Sequence, residues 1–210
     1  TDARSKFAEV VTKYKKLDML GGNYSTLAYY YQMECTRKLG ELEALKELKD
    51  NFLPEPLLDA SHHKQLENYK YWDAVRTESW ERLIELARSE EEKHFPGAQR
   101  AQIAYCLGLA YENTGKTNKA LTAYNEACIS DFAASEEVTR KSALSIMRLL
   151  KENAEVQTAI SLFGTDDFNA NSNGAQLLKE GVAIAKLWGT ALGGGAELPK
   201  EYADLLKYEF

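Results

Sequence analysis

Residues 101–134 read AQIAYCLGLAYENTGKTNKALTAYNEACISDFAA. Leu107 and Gly108 are followed three residues later by Tyr111, then by Gly115, Ala120, Tyr124 and Ala127. The apolar residues on either side of Gly115 recur at helical spacing, so the stretch predicts two antiparallel helices joined at that glycine. Gly108 and Ala120 lack bulk where the helices approach, and Tyr111 and Tyr124 fill the space beside them. Such a hairpin is specified by its own residues, yet half of its apolar surface stays bare. It therefore predicts stacking on neighbouring hairpins.

The rest of the chain is compatible with that stacking. Its 210 residues suffice for a sizeable core, and one continuous helical domain is the simplest reading. Only 4 prolines and 13 glycines punctuate a sequence dominated by Ala, Leu, Glu and Lys, which favours helix throughout. The formal charge is −6 and no cluster of Lys and Arg stands out, so nucleic acid is not an expected partner. No apolar run approaches the roughly 20 residues of a membrane span. The chain begins at Thr1 rather than Met, which reads as a processed or trimmed product, so the N-terminus does not report localisation. Cys35, Cys106 and Cys128 are odd in number and lack CxxC spacing. They read as small buried apolar residues, with a disulfide between two of them as the alternative.

Working outward from residue 101, Ala3 to Tyr14 forms one amphipathic face, as in the second helix of a repeat whose first helix is absent. Gly21, Gly22 and Asn23 break it. Tyr24–Leu39 predicts a helix capped by Gly40, and Glu41–Phe52 predicts its partner, so 24–52 is a degenerate hairpin. Ala28, Tyr31, Cys35, Ala44 and Leu48 take the places equivalent to those of the clear hairpin. Pro54 and Pro56 stop that pair. A second degenerate hairpin runs over 57–95, with helices over Leu57–Val75 and from Thr77 or Glu78 onward, and with bulky Trp80 where a small residue is expected. Phe95, Pro96 and Gly97 mark the next junction. A third degenerate hairpin spans 135–163, Ser135 capping its first helix. Gly164 to Gly174 is polar and rich in turn formers, hence a loop. Ala175–Leu192 is apolar on most sides, as suits a helix that is sandwiched or closes the end of a stack. Gly193–Gly195 end it, and Pro199 opens a short apolar tail to Phe210.

Little in the sequence points to catalysis. Adjacent His62 and His63 project about 100° apart on a helix and cannot chelate one metal, so a solvated or capping role is expected. HExxH, P-loop, GxGxxG and GxSxG motifs are all absent, and no cofactor is predicted. Gly193–Gly195 close a helix rather than opening one, unlike a phosphate cradle. The Glu90–Glu92 run reads as a solvated face, with a basic partner as the lesser alternative.

The 101–134 stretch resembles the tetratricopeptide repeat, whose units of about 34 residues carry W-x2-L-G-x2-Y…A-x3-F…P. The resemblance extends in degenerate form over residues 1–163, with 164–210 as loop and capping helices. The phrase FPGAQRAQIAYCLGLAY, Phe95 to Tyr111, is also similar to repeat junctions of bacterial envelope proteins such as Tol–Pal-associated and outer-membrane assembly factors. The resemblance implies an all-α, right-handed superhelix of antiparallel hairpins. It implies a non-catalytic scaffold for protein–protein interaction and favours the periplasmic side of the envelope over the cytoplasm.

In that family the first helix of each hairpin lines a concave groove. Aligning the degenerate hairpin with the clear one pairs Tyr29 with Tyr105, Met33 with Leu109, Thr36 with Glu112 and Arg37 with Asn113, and Gln102 extends the row. The expected groove is thus Tyr29, Met33, Arg37, Gln102, Tyr105, Leu109, Glu112 and Asn113, with the C-terminal helices as competing occupants. The family's chaperone-tail receptors grip a terminal carboxylate through Lys and Asn, but the corresponding places here hold Tyr105, Cys106 and Leu109. The rival readings are a self-associating structural subunit of an envelope assembly and a small-molecule binder with a pocket under the C-terminal helices.

Overall fold

A computed structural model describes residues 2–18, 24–52, 58–89, 97–130 and 136–210. Every regular element among them is helical, so the chain is all-α. The elements are α1 (Asp2–Asp18), α2 (Tyr24–Lys38), α3 (Leu42–Asp50), α4 (Ala60–Arg76), α5 (Trp80–Ser89), α6 (Gly97–Asn113), α7 (Thr117–Ser130), α8 (Glu136–Glu152), α9 (Ala154–Leu162) and α10 (Asn173–Leu187). The expected break at Gly21–Asn23, the stop at Pro54 and Pro56, the Glu90–Glu92 run, the Phe95–Pro96 junction and the Ser135 cap lie outside the described residues. No described helix is long and apolar enough to cross a membrane.

The chain divides into two compact units, Thr1–Ser79 and Trp80–Phe210. That boundary falls inside the 57–95 segment read from sequence as one hairpin, so α4 and α5 belong to different units. In the first unit α1 packs along α2, α2 on α3, and α3 on α4. Phe7 stacks on Tyr31 with ring centroids 5.5 Å apart. Met33, Leu45, Tyr69, Tyr71 and Trp72 are buried. Helix α4 begins three residues later than the apolar pattern suggests. Its start is set by Asp59, whose carboxylate accepts the His62 amide N–H at 2.9 Å. That bond holds the Asp59 carboxyl below its ordinary range. His62 adds its ring Nδ1, 2.7 Å from the same carboxylate.

In the second unit α6 and α7 form the hairpin that residues 101–134 predict, and α7 packs on α8. A Cβ at Gly108 would lie 2.3 Å from Cε1 of the buried Tyr124 ring, so only glycine allows this approach. Helix α10 packs on α8 and α9. The regular helix ends at Leu187, five residues before the sequence suggests. Trp188–Leu192 widens into a π turn that the Gly193 N–H closes on the Trp188 carbonyl at 3.0 Å. A 3-10 helix, Lys200–Lys207, then lies on α10. Leu150, Leu178, Val182 and Leu205 share one core, and the Lys151 ammonium donates to the Asp204 carboxylate at 3.1 Å. The outward side of α10 is solvated through Gln176, Lys179, Glu180 and Lys186.

One local structure recurs. After α2, the Gly40 N–H donates to the Arg37 carbonyl and Glu41 N–H to Thr36. After α4, Glu78 donates to Val75 and Ser79 to Ala74; after α6, Gly115 donates to Glu112 and Lys116 to Tyr111. Each pair of bonds is a Schellman closure with a left-handed residue, at φ +76°, +51° and +71° respectively. The three turns are 38 and 37 residues apart. The middle one also corrects the start of α5, because Thr77 and Glu78 belong to the turn.

Candidate functional site

The shared turn fixes how the first helices of the hairpins align. Gly40 and Gly115 hold the same place, so α2 and α6 correspond at an offset of 75 residues, not the 76 implied by pairing Tyr29 with Tyr105. Tyr105 therefore matches Tyr30, Leu109 matches Glu34, Glu112 matches Arg37 and Asn113 matches Lys38. Burial agrees with this register: Leu45, which matches buried Ala120, is buried, whereas Ala44 is only partly so.

The expected groove residues separate accordingly. In the first unit Met33 and Arg37 are 0% and 1% exposed, so neither offers a surface to a partner. Tyr29 is half-buried, stacked on Phe52 at 5.4 Å, and its hydroxyl donates to the Leu48 carbonyl at 3.0 Å. Arg37 enters a polar cluster that the sequence reading missed. The Glu34 carboxylate accepts from the Tyr69 hydroxyl at 2.6 Å, from Gln65 Nε2 at 3.1 Å and from Arg37 Nε at 3.3 Å. The Arg37 guanidinium lies 5.2 Å from the centre of the Trp72 ring. Burial and the negative Glu34 raise the Tyr69 hydroxyl well above its ordinary value, so it stays a donor. These contacts lock α2 to α4; they are internal structure.

In the second unit Gln102 is buried, while Tyr105, Leu109 and Glu112 are partly buried and Asn113 is exposed. Glu112 belongs to a charged pair on the α6–α8 face. Arg148, on α8, donates from Nη2 to Glu112 Oε1 at 2.6 Å and from Nη1 to Glu152 Oε2 at 3.2 Å. The Tyr124 hydroxyl donates to the other Glu112 oxygen at 2.9 Å. Burial first, and then the Glu112 charge, pushes the Tyr124 hydroxyl up; burial does the same to Tyr105. The Tyr105 and Tyr124 rings lie 5.9 Å apart. Asn113 is spent locally, its amide donating to the Leu109 carbonyl at 2.9 Å. Glu112 and Arg148 remain 26% and 38% exposed, so the face presents charge at its surface over an apolar base. Arg148 escaped the sequence reading. Its one signal there was its i,i+4 spacing to Glu152.

The three cysteines are free. Cys128 is buried, donates weakly to the Thr139 carbonyl at 3.6 Å, and has its thiol pushed up to about 12 by burial. It is an inert core group. Among the described residues no three His, Cys, Asp or Glu side chains gather as a metal site. Comparison with protein-family models, curated proteins and solved structures finds no match to this chain.

Proposed function

We propose that the chain is a non-catalytic helical-repeat scaffold of the tetratricopeptide kind, binding a protein partner on the α6–α8 face. The observation that carries this reading is the recurring Schellman turn after α2, α4 and α6. One supersecondary unit used several times is the economy of repeat arrays, whose stacked first helices form extended binding surfaces. Turn spacings of 38 and 37 residues exceed the family's period of about 34, so the units are elongated variants. Support for the face itself comes from Tyr105, Leu109 and the partly exposed Glu112–Arg148 pair, an apolar base edged by charges that fix register more than affinity. The resemblance of Phe95–Tyr111 to envelope-protein junctions favours an envelope setting.

The test is site-specific photo-crosslinking in the source cells. A crosslinker at position 109 or 113 is expected to capture one defined partner, and the same group at exposed Thr122 on α7 is expected to capture none. Equal capture from all three positions, or none from 109 and 113, overturns the reading.

A further inference from the structure

A cleft of about 280 Å³ opens beside α9, the loop after it and the first turn of α10. Ala159 and Leu162 of α9 and the ring of Phe168 give it an apolar lining, and Glu155 and Asp167 give it two carboxylates with no Lys or Arg among the lining residues. The Phe168 ring is held edge to face by Phe163, with centroids 5.0 Å apart. Glu155 accepts from the neutral Asn173 amide, and neither carboxylate pairs with a basic side chain among the described residues.

Two helix N-termini, those of α9 and α10, lie nearby. Each carries about half a positive charge, so together they offset about one of the two carboxylate charges and the cleft stays net negative. Three of their amides are also occupied: Asn153 accepts from Glu155 and Val156, and Ser172 accepts from Ala175. An anion therefore finds net repulsion, and a neutral apolar group would strip water from the carboxylates without replacing it.

We propose that this cleft receives the arginine side chain of a protein partner, its stem over Ala159 and Leu162 and its guanidinium between Glu155 and Asp167. A long basic side chain can bury its methylenes while its head stays charged. Arginine fits better than lysine because its planar, weakly hydrated head suits both carboxylates and the Phe168 ring. The proposal rests on the protein-binding reading above but uses a separate surface.

The test is NMR titration of the whole ¹⁵N-labelled chain with N-acetyl-arginine methylamide, following the Asn169, Asn173 and Gly174 amides. Saturable shifts at these amides are expected, and the citrulline analogue, alike in shape but uncharged, should bind about tenfold more weakly. Asp167→Asn, in an exposed loop, and Glu155→Gln should each weaken the response several-fold. Shifts that never saturate, equal responses to arginine and citrulline, or full binding by a folded Asp167→Asn/Glu155→Gln variant overturn the proposal. Crosslinking at position 109 is independent of this cleft. Failure of the titration with selective crosslinking intact removes the cleft alone, whereas loss of selective crosslinking removes the scaffold reading.

Discussion

Glu34 shows how a single residue can decide whether a buried charge is tolerable. Arg37 is almost wholly buried, and a guanidinium in that position needs a charged partner and satisfied donors. Glu34 meets that need while also accepting from Tyr69 and Gln65. Glu34→Ala should therefore cost about 3 kcal/mol, the low end for breaking a buried pair because Glu34 itself is partly exposed. Urea unfolding measures this, and a loss under 1 kcal/mol would show that the other contacts of Arg37 suffice without Glu34. None of this cluster was legible in the sequence. Charged residues three apart on a helix normally mark a solvated face, and only the arrival of Gln65, Tyr69 and Trp72 from α4 makes this face interior.

Helix limits followed from sequence where a special residue carries them and drifted where it does not. Gly40 and Gly115 announce their turns, since positive φ is the glycine preference. Glu78 holds the same conformation without that signal, so the apolar pattern alone started α5 too early. Apolar spacing likewise leaves a register free by one residue, because neighbouring helix positions differ by only 100°. The turn removes that freedom, which is why Tyr105 corresponds to Tyr30. A left-handed conformation costs a non-glycine residue about 1 kcal/mol or more. Glu78→Gly should thus stabilise the chain by about 0.5–1 kcal/mol, read as a raised urea midpoint with unchanged slope. An unchanged or lower midpoint would contradict the turn geometry.

Across the whole chain the all-α class was legible from composition, and the clear hairpin from Gly108 opposite Tyr124. The candidate α6–α8 face was half legible. The α6 residues stood in a readable repeat, but Arg148 reaches Glu112 from 36 positions away. Division into two units was not legible, because the Thr77–Ser79 turn at the boundary lacks the glycine or proline that usually marks one. The C-terminal layer depends on burial as well as on the Lys151–Asp204 contact. Leu205 is 1% exposed in the core shared with Leu150 and Leu178, so Leu205→Ala should cost about 2–4 kcal/mol. Hydrogen exchange of α8 and α10 amides would then accelerate, and unaltered protection would mean the tail is not part of that core.

That tail also bears on the order of events as the chain leaves the ribosome. Helices α6 and α7 meet across a three-residue link, so their hairpin closes at little entropic cost and can form as soon as residue 130 has emerged. The Lys151–Asp204 contact spans 53 positions and must wait until residue 204 has emerged. Until then the apolar side of α10 lacks Leu205. The newborn second unit therefore passes through a stage with its hairpin built and its final layer open, when a chaperone would find most to hold.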